Sequence, residues 1–369
     1  MSPEQAAGVP GDRREIFVPG IGQYDNIGDI ILRRQLMSWL RPHGRLHVFV
    51  GGSPSGYAES LGIGEDDVVY RSFAQWYRAG LRAAWRGHAH YLFKPGEIQL
   101  TVGGMKEHVV VLPLLAVIRA RGGKVARVGA GSRNFAAVPR LLMRPSMAMC
   151  DLAAWRDAAT ADYLGGEVMP DLAFGEGGRT DPSDDRDGLV VSMRSDRVEP
   201  SDAWFDGIRE YAARSGLHIS VVTQVLRDRD WSRMIARRLG AELVDWDGTE
   251  HGAQEERLRD LYRRSVLAVS DRLHVLITAA TEGAIPIALL VDGSDKIERH
   301  FEAAGLDGVG VRAAGMSSAE IVSALEAAAL RGDETRSALA SAREELDDVR
   351  SRLGGLLAAG VDDRAMVSA

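Results

Sequence analysis

Ser270-Asp271-Arg272-Leu273-His274 sets an arginine and a histidine at the point where a strand-like run, Val266 to Val269, gives way to a helix-like run, Val275 to Glu282. At such a junction the free N–H groups of the first helical turn favour an anion. A guanidinium adds forked donors matched to phosphate or carboxylate, and an imidazole changes protonation near neutral pH. Arg194 follows another strand-like run, Leu189 to Met193, and Lys296 follows Ile285 to Leu290 and opens the next helix. Arg194, Arg272, His274 and Lys296 thus fall at the carboxyl ends of strands in one half of the chain, where open α/β sheets bind ligands, and they predict one shared anion site.

The first half carries neutral and acidic groups at corresponding places. Gly20-Ile21-Gly22-Gln23-Tyr24-Asp25-Asn26-Ile27-Gly28-Asp29 joins the first strand to the first helix, with Asn26 and Asp29 at the helix start and Asp29 read as its N-cap. The glycine spacing is not the dinucleotide fingerprint, because the third glycine is displaced and no acidic ribose ligand follows about twenty residues on. Lys94-Pro95-Gly96-Glu97 and Gly129-Ala130-Gly131-Ser132 read as further loops after strands, the first lining the same cleft. Arg156-Asp157 reads as an internal ion pair with a helix cap, and Asp171 reads equally as a feature of the cleft or as a turn residue. His88 and His90 lack partner ligands, so no metal site is expected.

The elements that must position these residues alternate. Strand-like Ile16 to Pro19, Leu46 to Val50, Tyr91 to Phe93, Val125 to Val128 and a sheet-edge run Leu152 to Trp155 are interleaved with helical patterns over Ile27 to Leu40, Phe73 to Trp85, Val109 to Arg121, Pro139 to Met149 and Ala158 to Leu164. After the Gly-, Asp- and Pro-rich stretch Phe174 to Gly188 the alternation restarts, with strands at Leu189 to Met193, His218 to Val222, Val266 to Val269 and Ile285 to Leu290. Repeated β-then-α units predict an α/β fold of two Rossmann-like, doubly wound domains facing a cleft. The expected division is an N-terminal domain over 12–174, a linker over 175–188, a C-terminal domain over 189–312 and a helical tail over 313–369.

Composition bounds the function. A chain of 369 residues with 45% hydrophobic and 26% charged residues suits two globular domains. A net charge of −7 argues against a nucleic-acid binder, so an anionic ligand must be held by local positive charge. The single Cys150 excludes an internal disulfide and reads as a small buried residue. Met1 to Glu15 has no apolar signal core, and the longest apolar run, Val109 to Ile118, is too short to span a bilayer. A cytoplasmic protein is expected, touching any membrane-linked substrate only peripherally.

Taken in order, these segments resemble the polysaccharide pyruvyl transferase family. The resemblance runs from about Phe17 to Phe301. It rests on YDNIGD at Tyr24 to Asp29, PGEIQ at Pro95 to Gln99, WRD at Trp155 to Asp157, PDLAF at Pro170 to Phe174, VSMR at Val191 to Arg194, and SDRLH at Ser270 to His274 followed by Gly283, Pro286 and Lys296. It implies a fold similar to the GT-B glycosyltransferases. The implied activity is transfer of a carboxyethylidene (pyruvate ketal) group from phosphoenolpyruvate to two hydroxyls of a sugar, in a polysaccharide, a glycolipid or a lipid-linked precursor. The family's donor-binding residues carry over to Arg194, Arg272 and His274.

On this reading Arg194, Arg272, His274 and Lys296 hold phosphoenolpyruvate, with His274 as the acid. Asn26, Asp29 and Glu97 face the acceptor, and Asp29 or Glu97 takes its proton. The donor side is the second domain and the acceptor side the first. No cofactor or metal is required. Two other readings share the architecture: a GT-B nucleotide-sugar-dependent glycosyltransferase, in which the cations hold a diphosphate, and a non-catalytic glycan-binding relative, in which the cations are dispensable.

Overall fold

The computed structural model describes residues 14–178 and 186–359. The expectations about Met1 to Arg13, about residues 179–185 of the linker and about the tail beyond 359 lie outside the described residues.

Two parallel sheets carry the molecule. The first holds β1 (Glu15–Pro19), β2 (Arg45–Phe49), β3 (Val68–Tyr70), β4 (Ala89–Phe93), β5 (Gly96–Ile98), β6 (Val125–Ser132), β7 (Leu152–Trp155) and β8 (Glu167–Val168) in the order β3-β2-β1-β4-β6-β7-β8, with β5 also paired to β6. The second holds β9 (Gly188–Ser192), β10 (His218–Val222), β11 (Glu242–Val244), β12 (Ser265–Ser270), β13 (Ile285–Leu290) and β14 (Gly310–Arg312) in the order β11-β10-β9-β12-β13-β14. Strand order reverses between β1 and β4 and again between β9 and β12, and the loops leaving those strands open a crevice. Central strands such as β4 and β9 are buried along their whole length, as strands covered by helices on both faces must be.

Several local expectations are corrected. Leu152 to Trp155 is not a sheet edge, because β8 pairs beyond it. The 109–121 helix is two helices, Lys106–Val110 and Leu112–Ala120, since Pro113 has no N–H for a continuing ladder and sits in the first turn of the second. Lys94 to Glu97 is not a plain loop. Pro95 interrupts β4, and Gly96, at φ +101°, starts β5, which takes up pairing along β6 through Gly96 and Ala130. Gly129 to Ser132 is the end of β6 rather than a loop.

The C-terminal helices serve both domains. Ser317 and Glu320 form a capping box at the start of Ser318–Ala329, whose Ile321, Val322 and Leu325 join the core of the second domain. Gly332–Ala359 crosses back: Leu346, Val349, Leu353 and Leu357 belong to the core that contains Trp39 and Leu40, and Arg352 pairs with Glu167 at 2.8 Å. No helix among the described residues is long and apolar enough to cross a membrane.

Candidate functional site

Strands β9 and β12 deliver the cations. Ser270 Oγ donates to the Ser192 carbonyl and accepts the Arg272 N–H at 2.9 Å, tying the two strand ends together where the order reverses. Arg194 leaves β9 with its N–H on Asp271 Oδ1 at 2.7 Å and its guanidinium on Asp196, Nε and Nη2 donating at 2.8 and 2.7 Å. Arg272 holds the N-cap position of the helix Leu273–Thr281, where no side chain caps the first turn. Its Nε and Nη2 donate to Asp228 at 2.7 and 2.6 Å. Asp228 is buried, and Ser195 also donates to it through N–H and Oγ at 2.9 and 2.8 Å, so the Arg272 fork is fixed in direction. Burial pushes the Asp271 carboxyl up to about 6, its hydrogen bond from Arg194 offsetting only part of that.

The first domain closes the other side. Asn26, not Asp29, caps the helix Ile27–Leu40, its side chain accepting the Gly28 N–H at 3.1 Å. Asn26 lies three residues before Asp29 and occupies the cap, so the Asp29 carboxylate is free to accept from Arg33 Nη2 at 3.2 Å and Asn26 Nδ2 at 3.4 Å. Burial would raise the Asp29 carboxyl, but Arg33, then His274 and Arg156, outweigh it and hold it below its ordinary value. Glu97, on β5, accepts from Lys296 Nζ at 2.7 Å, which lowers its carboxyl against the opposing effect of burial; Lys296 is itself lowered by burial. Lys296 therefore bridges to the first domain instead of standing as a free cation.

His274 sits at the seam. Its Nε2 is 3.4 Å from Asp171 Oδ2 and 3.3 Å from Arg156 Nη1. A Cβ on Gly28 would lie 2.3 Å from the His274 Cβ, so only glycine lets the first helix approach this closely. Arg156 pairs not with Asp157 but with Asp171, at 2.7 Å, both side chains almost wholly buried. Asp157 caps Ala158–Leu164 through the Thr160 N–H and also receives Arg299 of the second domain at 2.9 Å. Asp171 is more than a turn residue: Oδ1 accepts the Ala173 N–H at 3.0 Å while Oδ2 serves Arg156. Burial would raise it, but Arg156 and then His274 hold it well below the usual carboxylate range.

Backbone contacts seal the rim. Asn26 and Val225 form an isolated antiparallel bridge, and Leu226 N–H donates to the Asp25 carbonyl at 2.8 Å. Between these walls lies a polar cavity of about 90 Å³. It is lined by Arg194, Arg272, His274 and Lys296, all four expected at one anion site, and by Asn26, Asp29 and Glu97. The structure adds Arg133, Arg156, Arg227, Asp196, Gln23 and Gln224, which the sequence reading did not assign to the site. Apart from His274, six arginine or lysine side chains face it against three carboxylates. Asp25, Asp171 and Asp228, outside the lining, pair with Arg227, Arg156 and Arg272, so the cations are held in fixed directions, and preorganised donors of this kind bind an anion without reorganisation.

Elsewhere, His90 is buried in β4 and accepts the Lys124 N–H at 2.9 Å. Among the described residues no group of three or more His, Cys, Asp or Glu is placed to hold a metal ion. Cys150 is partly buried, its thiol donating to the Ser146 carbonyl.

Comparison with known proteins follows the same lines. The family model for polysaccharide pyruvyl transferase matches residues 26–292. No curated protein matches the sequence. Among solved structures, a Listeria monocytogenes protein assigned as a UDP-N-acetylglucosamine 2-epimerase is similar with a TM-score of 0.57 at 12% identity, covering 92% of this chain and 97% of that one. The UDP-GlcNAc 2-epimerase of Neisseria meningitidis, solved with UDP-GlcNAc, gives 0.53 at 9%, over 88% and 94%. A kitacinnamycin glycosyltransferase gives 0.51 at 10%, over 94% and 98%. At these identities the likeness is one of fold: two Rossmann-like domains facing a cleft, as in GT-B transferases and epimerases.

Proposed function

The chain belongs to the polysaccharide pyruvyl transferase family, and from that premise we propose that this transferase moves a carboxyethylidene group from phosphoenolpyruvate to two hydroxyls of a sugar in a polysaccharide, glycolipid or precursor. The observation that carries the donor is the cavity itself, with six cationic side chains against three carboxylates and His274 between them. Phosphoenolpyruvate brings about three negative charges on a small rigid frame, which the guanidinium donors left over from the cavity's ion pairs can meet. Arg194 and Arg272 are aimed by Asp196 and Asp228, and each keeps guanidinium donors beyond those the carboxylates occupy.

His274 donates a proton to the methylene carbon, and the adjacent carbon, now electron-poor, is attacked by the first sugar hydroxyl. The C–O bond to phosphate then breaks, and the second hydroxyl closes the ketal. Of the two hydroxyl protons, one ends on the new methyl group through His274 and one on the departing phosphate, so atoms and charge balance. Asp29 and Glu97 are weak bases in their present pairs. A hydroxyl already bonding to a cationic carbon is strongly acidic, so a low-pKa carboxylate suffices to orient it, receive its proton late and pass it on to the departing phosphate or back to His274. Cleft closure keeps water from competing as nucleophile.

The test is incubation with phosphoenolpyruvate and a panel of glycosides, reading ketal methyl protons and inorganic phosphate by NMR. Equal appearance of both is expected. Consumption of a nucleotide sugar, with phosphoenolpyruvate untouched, would replace this reading with a glycosyltransferase.

A further inference from the structure

Beside the polar cavity lies a second and larger one, about 640 Å³, within the first domain. Its walls come from the ends of β1, β2 and β4 and from the helices Phe73–Arg86 and Lys106–Val110, and they are aromatic: Phe49, Phe73, Trp76, Tyr91 and Phe93. Trp76 is fully buried and held by its indole N–H on the His47 carbonyl at 2.8 Å. At the rim Phe73 and Val110 are exposed beside the charged Lys106 and Glu107, so apolar and charged groups share the mouth. Glu97 lines both cavities, which makes them neighbours across one side chain.

In the wall of this apolar space sits Arg127, 1% exposed. No ion pair to it occurs among the described residues: Nη2 contacts His108 Nδ1 at 3.2 Å, the Cys150 thiol, whose ionisation burial opposes, is its other side-chain partner, and Nε has no hydrogen-bond partner. His108 is neutral, since burial first, and then Arg127 and Lys94, push its imidazole down to about 2, and so it offers Arg127 a hydrogen-bonding nitrogen but no counter-charge. Of the two carboxylates in the pocket lining, Glu107 is taken by Lys94 and Glu97 by Lys296, each at 2.7 Å. Phe93 lies under the guanidinium, 3.7 Å from its ring centre, and Trp155 stands at 5.6 Å. Such cation–π contacts return less than the dehydration of a guanidinium costs. A buried arginine stays protonated at neutral pH, so its charge remains uncompensated.

We infer that this pocket takes a ring-shaped, largely apolar body bearing one anionic group, carboxylate or phosphate, and that Arg127 reads that group. Rings stack on the Trp76, Phe49 and Phe93 side of the pocket, and the anion completes the coordination that Nε lacks. The inference rests on the proposed transfer only in calling this ligand the acceptor: a sugar seated here presents its hydroxyls to Glu97, at the border with the donor cavity.

Calorimetric titration with three probes tests it: 4-nitrophenyl glucuronide, 4-nitrophenyl phosphate and the neutral 4-nitrophenyl glucoside. The wild-type protein is expected to bind at least one anionic probe about tenfold or more tightly than the glucoside, a range set by charge-assisted bonds. Whichever anion binds more tightly names the source. Arg127→Met should erase that preference, leave glucoside binding unchanged and keep the melting temperature, since it removes a buried charge with no carboxylate partner and keeps an apolar side chain of similar length. Arg127→Lys should retain part of the preference. Equal binding of all three probes by the wild type would overturn the inference. So would an Arg127→Met protein that keeps the preference, or one that loses stability and glucoside binding together, as a purely structural arginine would. Stabilisation by phosphoenolpyruvate, read on the same variants, should not change. Its absence in the wild type would sink the donor reading while leaving the probe result to stand.

Discussion

Asp171→Asn separates the structural and functional parts of the His274 seam. In the wild type Oδ1 accepts the Ala173 N–H at 3.0 Å, a bond an amide oxygen retains. Oδ2 accepts from Arg156 Nη1 at 2.7 Å and faces His274 Nε2 at 3.4 Å. The Arg156 and Asp171 side chains are 2% and 1% exposed, and Arg156 Nε has no other partner, so the substitution leaves a dry guanidinium without a carboxylate. Removing one member of such a pair costs about 3–5 kcal/mol, of which the neutral amide returns about 1 kcal/mol. A net loss of about 2–4 kcal/mol lowers the melting temperature by roughly 3–5 °C in a chain of 369 residues. The Asp171 carboxyl is depressed in the folded state, with burial outweighed by Arg156 and then His274. Its stabilisation is therefore fully present above the unfolded value, about pH 4, and is lost as pH falls through the folded value. The gap between wild type and variant should be widest near neutrality and close in acid. Because Arg156 faces the polar cavity, a bound anion supplies the missing partner. Phosphoenolpyruvate should therefore raise the variant's melting temperature by at least as much as the wild type's. Thermal melts across pH, with and without phosphoenolpyruvate, read all of this. A neutral-pH melting temperature within about 1 °C of wild type would refute the energetic reasoning, and loss of the ligand-induced rise would refute the placement of Arg156 in the donor cavity.

Arg194→Ala and Arg272→Ala should each weaken phosphoenolpyruvate binding by about 1.5–3 kcal/mol, as calorimetry would read. Arg272→Ala should also cost more stability, because it strands Asp228 at 2% side-chain exposure, whereas Asp196 is 48% exposed and is rehydrated when Arg194 is lost; equal melting temperatures would contradict that difference. His274→Gln keeps a hydrogen-bonding group but cannot deliver a proton, so kcat should fall with donor affinity little changed, and normal turnover would make His274 a positioning residue. Asp29→Asn and Glu97→Gln should lower transfer while leaving donor-induced stabilisation nearly intact; loss of donor binding in either would reverse the assignment of domains to substrates.

Much of this architecture is legible in the residues because local chemistry and long-range packing agree. Ile27–Leu40, Ala158–Leu164, His218–Val222 and Ile285–Leu290 occupy the bounds their patterns indicate. Strands β3, β11 and β14, each three residues long, are too brief to show a period, and β5 hides behind Pro95-Gly96. At the site, cations at strand ends could be read from element order alone. Partners could not: Arg156 has Asp157 beside it, yet it pairs with Asp171 fifteen positions on and meets His274 across 118. One missed signal was present, since Asn26, three residues before Asp29, is itself a strong cap residue and frees that carboxylate for the cavity. Arg127 carried no signal, because an arginine inside an apolar strand looks like any other until the absence of a carboxylate around it is seen in three dimensions.

The central claim, that the cationic cavity holds phosphoenolpyruvate, is tested most directly by titrating that ligand against the wild-type protein and the Arg194→Ala/Arg272→Ala double variant, with UDP-sugars in parallel. The account predicts one phosphoenolpyruvate site in the wild type, weakened at least about tenfold in the double variant, and no comparable UDP-sugar binding. Tight UDP-sugar binding without phosphoenolpyruvate binding, or phosphoenolpyruvate binding that the double variant leaves intact, would contradict it.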